Sequence, residues 1–297
     1  MNNFIETFGP SRSAGFRPEG MFVSDFDGTL RSSSGTIAER DLETLRELGR
    51  AGFLRVIATG RTLYSLNKAI DDSLPVDYIV FSSGAGVLDF QKKRIIRKMS
   101  LDAEGVRVAT QFLMQGGHDF MIHAPIPDNH RFLFVSSGRE NPDFARRCSL
   151  YSQFCDAFDG RIETLGPGTQ LLVIEPPSSS PPSLDGFEKA LPNCSIIRTT
   201  SPLDGASHWI EIFPKGISKG QTTDWLAKEW GLGPKDSLAI GNDYNDLDLL
   251  KWSHRSFVVA NAPPELRREF DTVASVDRCG VTEAVQKWLP LKRPGKP

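Results

Sequence analysis

The sequence predicts an α/β fold, with a doubly wound parallel sheet as the core and an α+β domain inserted into it. At both ends of the 297-residue chain, short apolar runs alternate with segments of helical periodicity, as in a parallel sheet covered by helices. Between about Val87 and Phe213 the alternation becomes irregular. A chain of this length exceeds one typical domain. The predicted boundaries are 1–20 for an N-terminal tail, 21–83 and 214–297 for the core, and 84–213 for the inserted domain.

The composition indicates which classes of partner to expect. Hydrophobic residues make up 39% and charged residues 24% of the chain, and the net charge is −2. We therefore expect no nucleic acid and no anionic membrane surface as partners. No stretch approaches the roughly 20 apolar residues of a membrane helix, and the first 20 residues lack the apolar core of a signal peptide. Scattered cysteines favour reduced thiols and a cytoplasmic location; they are Cys148, Cys155, Cys194 and Cys279.

The core elements follow from their patterns in chain order. Met21–Ser24 is short, apolar and followed by a turn, as a buried parallel strand is. The segment "TIAERDLETLRELGRAG" has apolar residues at helical spacing. Thr36 and Glu39 stand at capping-box spacing at its start, and Gly52 follows its end. Further strands are predicted at Phe53–Ala58, Tyr78–Phe81, Ser237–Ile240, Ser256–Ala260 and Thr272–Ser275, and further helices at "PPELRREF" and "VTEAVQKWL".

The middle of the chain has strand-like runs in a less regular rhythm. They are "RFLFVS", "QLLVIE", "CSIIRTT" and "HWIEIF". The segment Glu175–Ser183 ("EPPSSSPPS") is predicted to be a surface loop, because its prolines fit neither a helix interior nor a central strand.

Four polar stretches are predicted to meet at one edge of the core sheet, because ligands of doubly wound sheets bind at the carboxyl ends of the strands. In "DFDGT", Asp25 and Asp27 lie two positions apart, so on an extended segment both side chains can face one site. Taken alone, "DG" is better explained as a turn.

The other three stretches each have a structural alternative. In "ATGR", the Thr59 hydroxyl and the backbone N–H of Gly60 suit a phosphate, and the alternative is a helix cap by Thr59. Lys219 lies beside a predicted helix start, where a lone lysine is usually solvated. "IGNDYNDLDLL" places acids and amides directly after a strand. Together and in this order, the four stretches are more specific than any one of them.

The chain resembles the haloacid dehalogenase superfamily, in its Cof-type branch with a large type IIB cap between the second and third motifs. Asp25–Thr29 matches the first motif, DxDGT, and Thr59 matches the second. Lys219 matches the third, and Gly241–Asp246 matches the fourth, usually written GDxxND. The match covers the whole predicted core. The resemblance implies a Rossmann-like core domain and makes the inserted domain the cap.

The resemblance also implies a phosphatase that works through an aspartyl-phosphate. Asp25 would be the nucleophile, and Asp27 the general acid and base. Thr59 and Lys219 would hold the phosphoryl oxygens as charge develops on them. Gly28 would let the backbone approach the phosphate, because it has no side chain.

The implied cofactor is Mg²⁺, which prefers oxygen ligands. Asp25 would supply its carboxylate and Asp27 its backbone carbonyl. Where the family usually has an acid, this chain has Asn242, whose amide oxygen can bind magnesium but brings no charge. Asp243, one position on, is the alternative ligand. Asp246 would bind the ion or hydrogen-bond its waters.

The implied substrate is a small phosphorylated metabolite, such as a sugar phosphate, with the cap contacting its non-phosphate part. His123, Asp204 and His208 are candidates for such contacts, and for each the alternative is a structural role. Two other functions stay open. One is a phosphotransferase or sugar phosphomutase, which shares the aspartyl-phosphate. The other is a catalytically silent binding module, which only Asn242 supports.

Overall fold

The computed structural model of the chain describes residues 4–10, 16–177 and 183–292. The strands are β1 (Phe4–Thr7), β2 (Gly20–Asp25), β3 (Phe53–Ala58), β4 (Tyr78–Phe81), β5 (Gly86–Asp89), β6 (Arg94–Ser100), β7 (Phe120–His123), β8 (Phe132–Val135), β9 (Cys155–Ala157), β10 (Leu171–Glu175), β11 (Cys194–Thr200), β12 (His208–Pro214), β13 (Ser237–Gly241), β14 (Arg255–Val259) and β15 (Thr272–Val273). The helices are α1 (Glu39–Arg50), α2 (Leu63–Asn67), α3 (Ala103–Gln115), α4 (Pro142–Leu150), α5 (Asp185–Ala190), α6 (Lys219–Glu229), α7 (Leu247–Trp252), α8 (Pro264–Glu269) and α9 (Gly280–Lys292).

The first sheet has the strand order β1-β6-β5-β4-β3-β2-β13-β14-β15. Neighbouring strands from β4 to β15 are parallel, whereas β4 and β5 are antiparallel. Along the six parallel strands the chain order is 3-2-1-4-5-6, which is the doubly wound arrangement. The predicted fold class is therefore confirmed. The strand order reverses between β2 and β13, so a ligand is expected at their carboxyl ends.

Contacts divide the chain into two compact units. One contains β1, Thr62–Ser65 and Lys98–Ile217, and the other contains Phe8–Arg61, Leu66–Arg97 and Ser218–Pro297. We call the first the cap unit and the second the core unit. The sequence-based boundaries at 84 and 213 remain a prediction. The contact boundary falls later, at Lys98, because β5 pairs with β4 and so extends the first sheet beyond residue 84.

The cap unit is built on the second sheet, with the strand order β11-β12-β10-β7-β8-β9. Its pairs are antiparallel except β8 with β9. Strand β10 is buried on both faces. Leu171 and Val173 pack into one apolar cluster with residues of α3 and α5, whereas Leu172 and Ile174 pack into a second cluster with Phe144 of α4. Helices on both faces thus explain why this strand is continuously apolar.

The core unit buries apolar residues of the parallel strands beneath its helices. Met21, Val23 and Val56 from the sheet lie in one cluster with Leu226 of α6 and Leu249 of α7. Strand β2 is buried along its whole length, which matches the unbroken apolar run in the sequence. This packing fixes the end of β2, where the acidic residues begin.

The predicted strands and helices of the core are present, with two local differences. The predicted tail contains β1 within residues 4–10, while residues 1–3 and 11–15 lie outside the described part. The predicted capping box is wrong, because α1 begins at Glu39 after Ala38, and no side chain caps it. The Thr36 hydroxyl lies instead 2.9 Å from that of Ser32. Of the predicted loop, residues 178–182 lie outside the described part, and Glu175 ends β10.

Within the described ranges, no helix is long and apolar enough to cross a membrane. The cysteines at 148, 155, 194 and 279 are free thiols.

Candidate active site

The four predicted motifs meet at the carboxyl edge of the first sheet, within the core unit. Asp25 is the last residue of β2, and Asn242 follows β13 directly. Thr59 follows β3, and Lys219 begins α6. These positions flank the point where the strand order reverses.

Lys219 links the first, third and fourth motifs through its ammonium group. Its Nζ donates to Asp25 Oδ1 and to Asp246 Oδ1, both at 2.7 Å, and to Asn245 Oδ1 at 3.3 Å. The Lys219 side chain is only 1% exposed, so the solvated-charge alternative is wrong. The start of α6 is fixed by Ser218, whose hydroxyl accepts from the Gln221 N–H. This N-cap places the lysine against the end of β2.

Burial and charge act against each other in this cluster. Burial alone would lower the pKa of Lys219, but the carboxylates of Asp246 and Asp25 outweigh it and raise the pKa above its ordinary value. Burial also raises the pKa of Asp25 to about 7, because desolvation and the charge of Asp246 outweigh the attraction of Lys219. Further positive charge beside Asp25 would therefore favour its ionised form.

Asp246 organises the loop that follows β13. Its Oδ2 accepts from the backbone N–H groups of Asn242 and Asp243, at 2.9 and 3.1 Å, while its Oδ1 holds Lys219. The side chain is fully buried. Both carboxylate oxygens are therefore used by the protein itself, so Asp246 fixes the loop and the lysine.

Asn242 lies against the first motif. The end of its amide that accepts from Thr29 Oγ1 at 3.1 Å lies 2.9 Å from Asp25 Oδ2 and 3.2 Å from the Asp27 backbone oxygen. Gly28 has a φ of +80°, and a Cβ there would lie 2.6 Å from Asn242 Nδ2. The Gly28 N–H donates to the Arg31 carbonyl. The glycine thus provides a left-handed turn and room for the asparagine, rather than an unpaired N–H.

The residues beside Asn242 fit a magnesium ion. Among the residues that the structure describes, no three His, Cys, Asp or Glu side chains are grouped to hold a metal. The cluster here is of another kind, since it combines the Asp25 carboxylate, the Asp27 carbonyl and the Asn242 amide. With Oδ1 facing inward, these three oxygens converge without a hydrogen between them, which a hard cation stabilises. With Nδ2 inward, the amide would donate to both neighbours instead.

Asp27 has partners of its own. Arg61 Nε donates to Asp27 Oδ2 at 2.6 Å, and Arg61 Nη2 donates to Oδ1 at 2.7 Å. Arg31 Nη1 adds a weaker contact at 3.4 Å. The two aspartates of the first motif thus take different cations, Lys219 and Arg61, although they lie close enough for the Asp27 charge to raise the pKa of Asp25.

Thr59 and Gly60 lie beside a loop with unusual backbone geometry. Ser82 and Ser83 both have positive φ, and the Ser83 N–H donates to the Thr59 carbonyl at 3.0 Å. The Thr59 hydroxyl accepts from the Arg61 N–H at 3.2 Å. Thr59 does not cap α2, because Thr62 Oγ1 accepts from the Ser65 N–H.

The cap residues singled out in the sequence have structural partners inside their own unit. His123 is 1% exposed, and its Nδ1 lies 2.8 Å from the Asn129 backbone oxygen. Asp204 accepts from the backbone N–H groups of Ala206 and Ser207 and so builds a turn. His208 begins β12.

The model of the haloacid dehalogenase-like hydrolase family matches residues 22–285. The chain belongs to this family. Two curated relatives match a similar share of the chain. The 5-amino-6-(5-phospho-D-ribitylamino)uracil phosphatase YwtE of Bacillus subtilis is 23% identical, over 89% of this chain and 96% of the relative. The HMP-PP phosphatase of Yersinia enterocolitica is 23% identical, over 89% of this chain and 93% of the relative.

Solved structures of haloacid dehalogenase superfamily members share the fold. The phosphatase BT1666 from Bacteroides thetaiotaomicron has a TM-score of 0.71 and 19% identity, over 94% of this chain and 98% of that one. The subclass IIB sugar phosphatase BT4131 has a TM-score of 0.68 and 18% identity, over 91% of this chain and 98% of that one. The predicted superfamily is confirmed, and the names of the relatives support the predicted phosphoric monoester hydrolase.

Three side chains of this haloacid dehalogenase site were not singled out in the sequence. Arg61 pairs with Asp27, Asn245 accepts from Lys219, and Ser24 Oγ donates to the Asp25 carbonyl at 2.6 Å. Arg61 and Asn245 lie inside the second and fourth motifs, so their positions in the sequence are a signal that they belong to the site. Their partners depend on contacts between distant segments, which the spacing does not reveal.

Proposed function

We propose that the chain is a Mg²⁺-dependent phosphomonoesterase that hydrolyses a small phosphorylated metabolite through an aspartyl-phosphate on Asp25. The observation that carries this proposal is the environment of the Asp25 carboxylate. One oxygen accepts from the Lys219 ammonium at 2.7 Å, and the other lies 2.9 Å from the Asn242 amide. A carboxylate held beside a cation at the switch point of the sheet is well placed to act as a nucleophile.

In the first step, one oxygen of Asp25 attacks phosphorus, and the bond from phosphorus to the ester oxygen breaks. Asp27 gives a proton to the departing oxygen. Lys219, the Thr59 hydroxyl and the Gly60 backbone N–H bind the phosphoryl oxygens while charge builds up on them. The Asp27 side chain is 41% exposed, so it can exchange protons with solvent between turnovers.

In the second step, water attacks the phosphorus of the aspartyl-phosphate, and Asp27 takes a proton from that water. The bond between phosphorus and Asp25 breaks, which releases inorganic phosphate and restores the carboxylate. Asp246 keeps Lys219 and the loop after β13 in place throughout, since its two oxygens bind both.

Magnesium would be held by the Asp25 carboxylate, the Asp27 backbone oxygen and the Asn242 amide oxygen. When bound, it would offset the negative charge of Asp25 and of the phosphoryl group. Asn242 is favoured over Asp243 as the third ligand, because the Asn242 amide is the group that lies beside Asp25.

The names of the relatives support a small phosphorylated metabolite as the substrate. They include phosphatases of a phosphoribitylamino-uracil and of HMP-PP, and a sugar phosphatase. We further propose a cytoplasmic location, which the four free thiols support. The net charge of −2 supports the absence of a nucleic-acid partner.

The test is phosphate release from a panel of phosphorylated sugars and other small esters, with Mg²⁺ and with EDTA. We expect release from at least one ester, its loss with EDTA, and a loss of at least about 10³-fold in Asp25→Asn. Asp41→Asn is the matched control, because Asp41 is another buried aspartate of the core unit, and its Oδ1 accepts from the Thr282 N–H and hydroxyl rather than from a residue of the four motifs. It should stay active.

Mass spectrometry of the protein trapped during turnover should place the phosphoryl adduct on residue 25. If Asp25→Asn keeps its activity, the nucleophile lies elsewhere. If the phosphoryl group passes to an added sugar rather than to water, the chain is a phosphotransferase.

A further inference from the structure

Arg61 and Asp27 form a two-pronged ion pair in the core unit. Nε and Nη2 of the guanidinium donate to the two carboxylate oxygens at 2.6 and 2.7 Å. The side chains are 28% and 41% exposed, respectively. A fork of this geometry fixes the plane of the carboxylate as well as attracting it.

The backbone of Arg61 is held equally firmly. Its N–H donates to the Thr59 hydroxyl at 3.2 Å, and its carbonyl accepts from the Ser82 N–H at 2.8 Å. The guanidinium carbon lies 5.8 Å from the centre of the ring of Phe26, the residue between the two aspartates in the sequence. Because its backbone is fixed in the second motif and its side chain binds Asp27, Arg61 fixes Asp27 of the first motif relative to the second motif.

The fork has different consequences for the two roles proposed for Asp27. It uses one acceptor position on each oxygen, and Arg31 Nη1 contacts a further position on Oδ1 at 3.4 Å. The second acceptor position of Oδ2 therefore points in a fixed direction and can accept a proton from water. A carboxylic acid instead carries an O–H donor on an oxygen that the fork needs as an acceptor. The fork is thus compatible with proton acceptance and is weakened when Asp27 carries the proton.

We infer that Arg61 is a positioning residue that holds Asp27 for the second step, the hydrolysis of the aspartyl-phosphate. This inference rests on the proposed function. In that step water loses a proton to Asp27 and attacks phosphorus, and the bond to Asp25 breaks. Without Arg61, the carboxylate loses its fixed direction, and hydrolysis of the aspartyl-phosphate becomes the slow step.

The test uses p-nitrophenyl phosphate in rapid-mixing experiments with Mg²⁺. Its leaving group needs no proton, so the first step does not depend on an acid. In Arg61→Gln we expect a burst of about one p-nitrophenol per active site, followed by a steady state slowed by roughly 10- to 100-fold. Arg61→Lys keeps one donor and the charge, so its steady-state rate should lie between those of Arg61→Gln and the unmodified protein.

A double-mutant cycle separates positioning from a merely structural effect. Asp27→Asn should produce the same burst, and adding Arg61→Gln to Asp27→Asn should change the steady-state rate by less than about twofold, because Arg61 acts through Asp27. Effects that multiply would overturn the inference. So would an Arg61→Gln or Arg61→Lys variant in which burst and steady state fall equally.

Arg55→Gln is the matched control. Arg55 forms the same kind of fork with Asp77 in the core unit, at 3.0 and 2.7 Å, and its side chain is 16% exposed. Its variant should lose stability without a burst. If the unmodified protein releases no phosphate from any ester, the proposed function fails and the inference fails with it. If it is active and needs Asp25 but the cycle is additive, only the inference fails.

Discussion

Among the side chains whose burial the structure describes, Lys219 of the core unit and Arg147 of the cap unit are buried cations, and the two are stabilised in different ways. In the core unit, Lys219 donates to two carboxylates at 2.7 Å. In the cap unit, Arg147 of α4 lies among aromatic rings, with its guanidinium carbon 4.5 Å from the Trp209 ring and 5.2 Å from the Tyr151 ring. Burial lowers the pKa of Arg147, and the nearby charges that oppose burial, among them those of Glu211 and Asp143, do not offset it. The carboxylates around Lys219 more than reverse the effect of burial on its pKa.

The two clusters differ in what their cations can contribute. A cation on aromatic faces contributes about 0.5–2 kcal/mol and presents no group that can react. A cation between two carboxylates concentrates charges that cost much to bury, so such an arrangement is weak evidence for stability and better evidence for chemistry. The same difference distinguishes the charged cluster around Asp25 in the core unit from the aromatic surroundings of His123 in the cap unit.

The largest effect is expected for Lys219→Met. It leaves Asp25 and Asp246 buried without their cation, which costs about 3–5 kcal/mol of unfolding free energy. It also removes the donor proposed for the phosphoryl group, so we expect activity on p-nitrophenyl phosphate to fall by about 10³-fold. Urea unfolding in EDTA and steady-state kinetics with Mg²⁺ measure the two effects.

Arg147→Met is the comparison variant, because an apolar side chain suits the aromatic surroundings of Arg147. We expect a smaller cost of about 1–2 kcal/mol. Equal losses of stability in the two variants would contradict the expected difference, since the carboxylates around Lys219 would then add nothing to the effect of burial.

The next effect is a pH dependence in the cap unit. Burial, with the charge of Arg147, lowers the pKa of His123 to about 3, although its bond to the Asn129 oxygen opposes this. The unfolded chain therefore binds a proton that the folded chain does not, and the stability present above pH about 6.5 is lost as the pH falls toward 3. Between pH 6.5 and 5 this loss is about 1.6 kcal/mol.

His123→Asn should flatten that acid-side slope in urea unfolding, because an amide can still donate to the Asn129 oxygen and does not titrate. His254→Asn is the control, since His254 is exposed. A slope that survives in His123→Asn would assign the acid sensitivity to other groups and leave the cap cluster without a titrating member.

The parts of the fold that were predictable are those with strong local signals. Phe53–Ala58 and Tyr78–Phe81 were predicted to the residue, because continuous apolar runs bounded by turns specify buried parallel strands. The capping box at Thr36 was wrong, because the nearby hydroxyls of Ser32 and Ser34 engage Thr36 before the helix begins. Spacing reports the capacity for a contact and not the competing partner.

In the site, residue types and motif order predicted that four residues lie at one edge of the sheet, namely Asp25, Thr59, Lys219 and Asp246. The fork from Arg61 to Asp27 was not predictable, because it joins residues 34 positions apart through the pairing of β2 with β3. For Gly28, sequence reasoning predicted an approach of the backbone to phosphate, whereas the structure adds the room that Asn242 requires. Both differences arise from tertiary contacts.

The smallest predicted effect concerns Mg²⁺ binding beside the Asp25 carboxylate. The Asn242 amide lies 2.9 Å from Asp25 Oδ2, so Asn242→Asp places a second negative charge there. Without metal the two charges repel each other, and with Mg²⁺ both attract the ion. We expect Mg²⁺ to bind roughly 10-fold more tightly, which at saturating Mg²⁺ adds about 1.4 kcal/mol to the stabilisation that the ion provides. Isothermal titration calorimetry and Mg²⁺-dependent thermal unfolding measure both quantities without reference to activity.

Asp243→Ala is the control and should bind Mg²⁺ within about twofold of the unmodified protein, because Asp25 and Asn242 are unchanged. Unchanged binding in both variants would place the ion away from residue 242, and the charges around Lys219 would then balance without a metal at this position.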